Sequence, residues 1–526
     1  MRNLLVIFFQ REKERSKKKV ISRIVSDNIE YKNSPDIIRC FRQFYNSLFT
    51  SEGIDKNMAE FFLKDLPVLS DEDRELCEGY LTLDEILVAL KGMDNNKSPG
   101  PDGIPKEFYL SFFDVLGPVL VKVLNLAHDS RLSSSQRLSY ITLLCKDSSA
   151  SENMKNWRLI SLLCVDTKII SKVITNRIRQ VIGKLVHKDQ TCSVPGRSIL
   201  DNNHLLRNIE FYCDQKDLEC AFISLDNEKA FGRVEYEFMF MVLKQYGFGD
   251  SLIQWIMTLY SDILSSVIVN NFISDPFKVT RGVRQGCSLS PLLYVLCLEP
   301  FACKVRADDS ISGLKLPGST DSAKISLYAD DSTGICVDDY SIGRILYWSR
   351  KYGLASGSKL NMTKTKGIFI GKWKSRSDHP FGISWVDDIK LLGIRHGKDL
   401  SFDDVWHPLF TKISNTLNLF SSRRLSLRGK STIINVSCLS KLWYVGSVLP
   451  INSHYIHVIS KSVVNFFWKS TSELLERKVL YNDVTDGGHN LVCVKTKLES
   501  LLLSHIQKIV VDYDAKWVSF AKYWCG

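Results

Sequence analysis

The chain has 526 residues, 44% of them hydrophobic, with 69 Lys and Arg against 58 Asp and Glu for a formal charge of +11. That length exceeds one ordinary core and predicts two to four domains, with enough apolar material to fill them, which excludes a disordered chain. No run of about 20 apolar residues occurs, which excludes a hydropathic membrane-spanning helix. Both charge signs are plentiful, so the basic excess sits on particular surfaces and predicts a polyanionic partner, nucleic acid or an acidic membrane face.

Residues 1–80 read as a charged, helical accessory region, with "IIRCFRQFYNSLF" (Ile37 to Phe49) apolar at helical spacing. The opening "LLVIFF" (Leu4 to Phe9) is shorter than a signal-peptide core and runs into "REKERSKKK", so it reads as a helix or a ragged end rather than a targeting segment. "LTLDEILVALKGM" begins a helix with Thr82 as N-cap and Glu85 closing a capping box. The Pro- and Gly-rich "DNNKSPGPDGIP" (Asp94 to Pro105) must be a loop, and helix resumes from Phe108 to Leu126. "YITLLCK" and "NWRLISLL" read as strands, and "TKIISKVITNRIRQVIGKLV" as a helix whose Lys168, Lys172, Arg177 and Arg179 suggest a solvated basic face.

Further on, "CAFISLDNEKAF" is a buried strand ending in acid, and "VTRGVRQGCSLSPLLYVLCLEPF" is a loop feeding a very apolar helix. "KISLYADDSTGICV" is a hairpin. Strands and helices mix without regular βαβ alternation, which predicts an α+β domain with an antiparallel sheet. From about residue 400 the chain is helical, with the basic "RRLSLRGK" between two helical runs. The fourteen cysteines, among them Cys145, Cys164, Cys192, Cys287 and Cys438, form no CxxC pair and read as reduced thiols of an intracellular protein.

Five Asp-Asp pairs occur: Asp308-Asp309, Asp330-Asp331, Asp338-Asp339, Asp387-Asp388 and Asp403-Asp404. Only Asp330-Asp331 is flanked by strand on both sides, which holds it near a hairpin tip, where two like charges repel unless a cation neutralises them. The other four read as surface turns. Asp226, at the end of the alternating "FISLD", supplies a further carboxylate. Joined to Asp330 and Asp331 across a sheet it would make an all-oxygen cage for hard cations, Mg²⁺ first and Mn²⁺ as an alternative. Two such ions about 4 Å apart serve nucleotidyl transfer.

"SLDNEKAF", "RGVRQGCSLSPLLYVL", "LYADDST" and "SGSKLNMTKTK" stand in the order of palm motifs A to D of reverse transcriptases, and "IKLLGI" resembles the primer-grip motif. Upstream, "NNKSPGPDGIPKEFY", "NWRLISLL" and "DQTCSVPGRSILDN" resemble finger motifs of non-LTR (LINE-type) retrotransposon enzymes, so the likeness covers roughly residues 80–470. The resemblance implies a right-hand polymerase. It has an N-terminal extension (1–80), fingers (81–215), a palm with part of the fingers (216–398), a helical thumb (399–470) and a C-terminal helical segment (471–526).

It also implies that Asp226 and Asp330 ligate both metals with Asp331 in support, while a DNA primer on an RNA template attacks a dNTP. Lys146 and Arg158 would grip the triphosphate, Phe231 would act as a steric gate against ribose, and Gln285 and Gly286 would lie beneath the nascent pair. Lys364 would protonate pyrophosphate, and Arg423, Arg424, Arg428 and Lys430 would meet the hybrid backbone. Two positions depart from the family: Gly232 replaces the aspartate of "KAFD", at a turn where that aspartate would cap a helix, and Leu159 replaces the proline of "RPISL". The alternative they raise is an inactive nucleic-acid-binding remnant. The stretch before residue 80 has no room for the endonuclease domain that often precedes such polymerases, so target cleavage is not expected of this chain.

Overall fold

The computed structural model describes residues 20–526 apart from Asp27, Thr471 and Asp512, so Leu4–Phe9 and the basic run after it lie outside the described residues. Helices and sheets mix in two units interleaved along the chain. The first comprises Met1–Gly196, Asp226–Asp308 and Ile345–Asn361, the second Arg197–Leu225, Asp309–Arg344 and Met362–Gly526. The cysteines are all free thiols, and no described helix is long and apolar enough to cross a membrane.

In the first unit, strand Leu138–Cys145 pairs antiparallel with Trp157–Leu162 and parallel with Leu264–Val269, the centre of a five-stranded sheet. The accessory stretch is not wholly helical, because Ile24–Ser26 and Ile29–Tyr31 form a short hairpin before the helix Ser34–Phe49. The expected capping box is present: Thr82 accepts from the Glu85 amide, and the Glu85 carboxylate reaches back to the Thr82 amide.

Helix Val165–Leu185 packs on this cap and departs from the expected solvated basic face at one of its four cations, with Lys168 and Lys172 half-buried. Arg179 is exposed, but Arg177 is 5% exposed and turned inward. Its guanidinium holds Glu85 at 2.7 Å and donates to the carbonyls of Cys77, Glu78, Gly79 and Tyr80 at 2.8 to 3.2 Å. A planar fork of five donors can close off four consecutive carbonyls and a carboxylate at once, and the side chain would cost several kcal/mol to bury without them. Arg177 is therefore a structural clasp.

The second unit carries a sheet in the order Ile325–Tyr328, Asp331–Cys336, Glu219–Leu225, Lys366–Gly371, Ser384–Trp385, antiparallel except for the last pairing. One face is covered by helix Ile199–Lys216 and the C-terminal helix Trp517–Cys525, with Leu206, Ile209, Phe222, Ile335, Ile368 and Phe520 in the shared core. A separate apolar core ties together helices Phe402–Ser421, Ser440–Gly446, Ser453–Trp468 and Val494–Val510 around Trp406, Leu442 and Phe467. The run from Leu427 to Gly446 is continuously helical but passes through a π-helical segment, Ile433–Leu439. Inside that segment Asn435 bonds the Asn490 carbonyl and the Val492 amide.

Candidate active site

The acidic hairpin forms as its alternation requires. Ile325 and Leu327 point into the core, fully buried, and Tyr328 pairs with Asp331, leaving Ala329 and Asp330 as a two-residue turn. Ala329 has φ +53°, a region L-residues seldom occupy and which costs on the order of 1 kcal/mol or more. Asp330 and Asp331 are exposed. Within the sheet Ser332 stands opposite Leu225. Asp226 is the residue after Leu225, and Asp331 the residue before Ser332.

Past Asp226 the chain is held by its own unit: the Asp226 carbonyl accepts from Asn361, and the Glu228 amide donates to Lys359. Lys366 pairs with Ser224, so the turn bearing exposed Lys364 lies at the sheet end where Leu225 finishes.

The other four acidic pairs do structural work. Asp308 accepts from the Trp348 indole at 2.7 Å. Asp338 accepts from the Ser341 amide at 2.7 Å, and Asp339 takes both arms of Arg376 at 2.9 and 3.0 Å. Asp388 pairs with Arg395, Asp403 accepts from the Tyr455 hydroxyl and Asp404 closes a capping box with Ser401. Caps, ion pairs and hydrogen bonds from Trp348 and Tyr455 hold at least one carboxylate of each pair.

The expected nucleotide contacts other than Lys364 fall in the first unit, on one bonded frame. Arg158 pairs across the ladder with Leu144, and Lys146 lies two residues beyond Leu144, so both cations share one face of that hairpin, exposed. Gln285 is tied to the same strand because its carbonyl accepts from the Ser161 amide at 2.7 Å. Gly286 has φ +111°, and a Cβ there would lie 2.8 Å from the Ser161 carbonyl, so this approach admits only glycine.

Phe231 stacks on Tyr294 with centroids 4.6 Å apart and planes within 13°, and its carbonyl accepts from Val283. Lys229, which sequence reasoning passed over, fastens the turn after Asp226 to this frame. Its ammonium donates to the carbonyls of Lys155 and Trp157, at 3.1 and 3.0 Å. Only its place between Asp226 and Phe231 could have drawn attention to it.

The two departures are absorbed. Leu159 is buried in its strand opposite Leu143. Gly232 is not a capping position: it lies inside the short helix Ala230–Arg233, and a Cβ would meet Leu48 at 3.3 Å and Phe49 at 3.6 Å. An aspartate there would face hydrocarbon, so the capping role expected for it does not apply.

Among the cations of "RRLSLRGK", Arg423, Arg424 and Arg428 are exposed, but Lys430 is buried and donates to the Phe467 carbonyl near the end of helix Ser453–Trp468. Burial holds its ammonium below the usual lysine range, with Lys469 adding to the effect. It serves the fold.

Asp102, Cys164 and Asp166 also bring ligand atoms within 4.8 Å of one another. Burial pushes the Cys164 thiol up to about 12, and Asp166 already accepts from Gln136 and from the Thr167 amide. The trio reads as a hydrogen-bonded helix start.

The exposed carboxylates of the hairpin tip belong to the second unit, and exposed Lys146 and Arg158 to the first. Residues 146–396 match the family described as reverse transcriptase (RNA-dependent DNA polymerase). Over 525 residues, 98% of this chain and 40% of the relative, it is 32% identical to the "Transposon TX1 uncharacterized 149 kDa protein" of Xenopus laevis. It is 25% identical over 395 residues, 70% of this chain and 42% of the relative, to "Probable RNA-directed DNA polymerase from transposon BS" of Drosophila melanogaster. It is 25% identical over 311 residues, 56% of this chain and 49% of the relative, to the "Retrovirus-related Pol polyprotein from type-1 retrotransposable element R2" of Popillia japonica. The matched family and the names of these relatives agree with the likeness read from the ordered motifs, and the chain spans less than half the length of these relatives.

Proposed function

We propose that the chain is an RNA-directed DNA polymerase that extends a primer 3′-hydroxyl with dNTPs on an RNA template. The observation that carries this reading is the strand register: Leu225 opposite Ser332 makes Asp226 and Asp331 the next residues along two neighbouring strands, with Asp330 in the adjoining turn. Asp226 and Asp330, with Asp331 in support, offer only carboxylate oxygens, the donor set that suits Mg²⁺ and admits Mn²⁺. A bound pair of such ions would lower the pKa of the attacking hydroxyl and neutralise the departing pyrophosphate.

The protein's own residues orient the reaction. Lys146 as a point charge and Arg158 as a planar fork suit a triphosphate. Phe231, backed by Tyr294, is the steric gate against a ribose 2′-hydroxyl, and Gln285 and Gly286 support the nascent pair. Lys364 supplies a proton to pyrophosphate. The first-unit sheet then belongs to the fingers, the second-unit sheet to the palm, and the helical core around Trp406 to the thumb. Arg423, Arg424 and Arg428 contact the hybrid backbone without reading sequence.

Primer extension on an annealed RNA template, with and without Mg²⁺, tests the proposal. Extension by the wild-type chain that disappears in Asp330→Ala supports it. Hybrid binding without extension, unchanged by that substitution, would identify a non-catalytic remnant instead.

A further inference from the structure

Two hairpin turns of the second unit hold a non-glycine residue in left-handed backbone, and one helix is bonded to the support of both. The first is the Ala329–Asp330 turn. The second, Leu392–Gly393, joins strands Asp388–Leu391 and Ile394–Gly397 inside the "IKLLGI" segment, with φ of +46° at Leu392 and +84° at Gly393. A leucine in that region is held there at a cost of roughly 1–2 kcal/mol and persists only where its surroundings over-determine it.

Those surroundings are Tyr444, from helix Ser440–Gly446. Its hydroxyl donates to the Leu392 carbonyl. Its ring lies so close to the turn that a Cβ on Gly393 would come within 2.9 Å of Cε1. The hydroxyl also accepts from the Asn203 side-chain amide at 2.8 Å. The neighbouring Asn202 donates to the Ser326 hydroxyl at 2.8 Å and to the Leu327 carbonyl at 3.0 Å, on the strand that leads into Ala329 and Asp330.

Asn202 and Asn203 are 3% and 0% exposed, and successive residues of a helix point about 100° apart. One rigid helix, Ile199–Lys216, can thereby grip both structures at once. Burial raises the Tyr444 phenol, and the charge of Asp331 raises it further, so the group stays a protonated donor under the influence of the acidic hairpin.

We infer that Tyr444, braced by Asn203, is a positioning residue for nucleotide addition. It sets the Leu392–Gly393 turn, and the primer end resting on it, in register with the Asp330–Asp331 hairpin that Asn202 holds from the same helix. The inference rests on the polymerase reading above and on the likeness of "IKLLGI" to a primer grip. Neither tyrosine nor asparagines touch the reacting atoms.

Tyr444→Phe in the full chain keeps the ring against the turn and removes both hydrogen bonds. The variant is expected to lose about ten- to a hundredfold in kcat for single-nucleotide addition with KM for the dNTP unchanged, the signature of a misplaced primer end. Hydrogen exchange at the Leu391–Ile394 amides is expected to accelerate while the sheet amides of Ile325–Tyr328 stay protected. Asn203→Ala should give the same pattern in weaker form, and the double variant should lose less than the two effects multiplied.

An unchanged kcat in Tyr444→Phe overturns the inference, as does a loss of kcat accompanied by faster exchange throughout the unit. A wild-type chain that extends nothing overturns the polymerase reading itself. The exchange measurement separates that failure from a failure of the tyrosine to hold its turn.

Discussion

Two hairpin turns in the second unit, Ala329–Asp330 and Leu392–Gly393, each join antiparallel strands with two residues, and each begins at positive φ, +53° for Ala329 and +46° for Leu392. Their supports differ. The strands of the first belong to a five-stranded sheet, and its flanks Ile325 and Leu327 are fully buried. The strands of the second form a two-stranded ribbon, a structure marginal by itself, whose tip is held by the hydroxyl and ring of Tyr444. A strained turn carried by a ladder is fixed by many backbone bonds together, whereas one carried by a tether is fixed by few side chains. The first suits exposed carboxylates that must not move, and the second suits a backbone surface whose height a helix sets.

The largest expected effect is at the ladder-held turn. Asp330→Ala should lower primer extension at least about a thousandfold, several kcal/mol of barrier, while leaving hybrid affinity intact in a gel-shift titration. At the tethered turn, Gly393→Ala combines φ of +84° with a Cβ 2.9 Å from Tyr444. It should cost about 1–3 kcal/mol in denaturant melting and reduce kcat more than KM. Equal tolerance of the two substitutions in extension assays would break the distinction.

Acid tests what the turns share. Burial, then the facing His505, pushes His204 down to about 3, so the folded chain keeps neutral an imidazole that the unfolded chain protonates below about 6.5. The unfolded state binds the extra proton, so stability present above pH 6.5 is lost as pH falls, at up to about 1.4 kcal/mol per unit until the folded group titrates. His204 lies on helix Ile199–Lys216 beside Asn202 and Asn203, with its Nε2 3.1 Å from that of His505. Protection at both turns, taken relative to the intrinsic exchange rate at each pH, should therefore fall together on acidification from pH 7 to 5, and a fall at one alone would argue against a common anchor.

Ala329→Gly should relieve about 1 kcal/mol of strain and raise the melting temperature slightly with little loss of extension, because the ladder still fixes the tip. The smallest effect is expected at an exposed arginine. Arg423→Ala should weaken hybrid binding a few-fold irrespective of sequence, and flatten its dependence on salt by about one unit of logarithmic slope.

The acidic hairpin and the Thr82 helix cap were legible because their signals are local. The alternation on both sides of Asp330 reads as a hairpin, and the Thr82–Glu85 spacing reads as a cap, since each depends on residues a few positions apart. The close approach of Gly286 to the Ser161 carbonyl could not be read from the sequence, because the two lie on segments far apart in the chain. Arg177 and Arg179 look alike in sequence, yet one is sealed against four carbonyls and the other is exposed. Lys430 resembles its neighbours Arg423, Arg424 and Arg428 until the fold turns it toward Phe467. Gly232 could be read as a lost cap only without knowing that Leu48 and Phe49 would meet a side chain there.

From the sequence alone came the polymerase motifs in order, the acidic hairpin and the mixed helix-and-sheet class, because periodicity and carboxylate chemistry act over short stretches. Only the tertiary structure decided which cations face solvent, how the chain divides into two interleaved units, and that Tyr444, Asn203 and Leu392 meet. Burial and hydrogen-bond partnership depend on segments hundreds of residues apart, and no local pattern specifies which of them will close on one another.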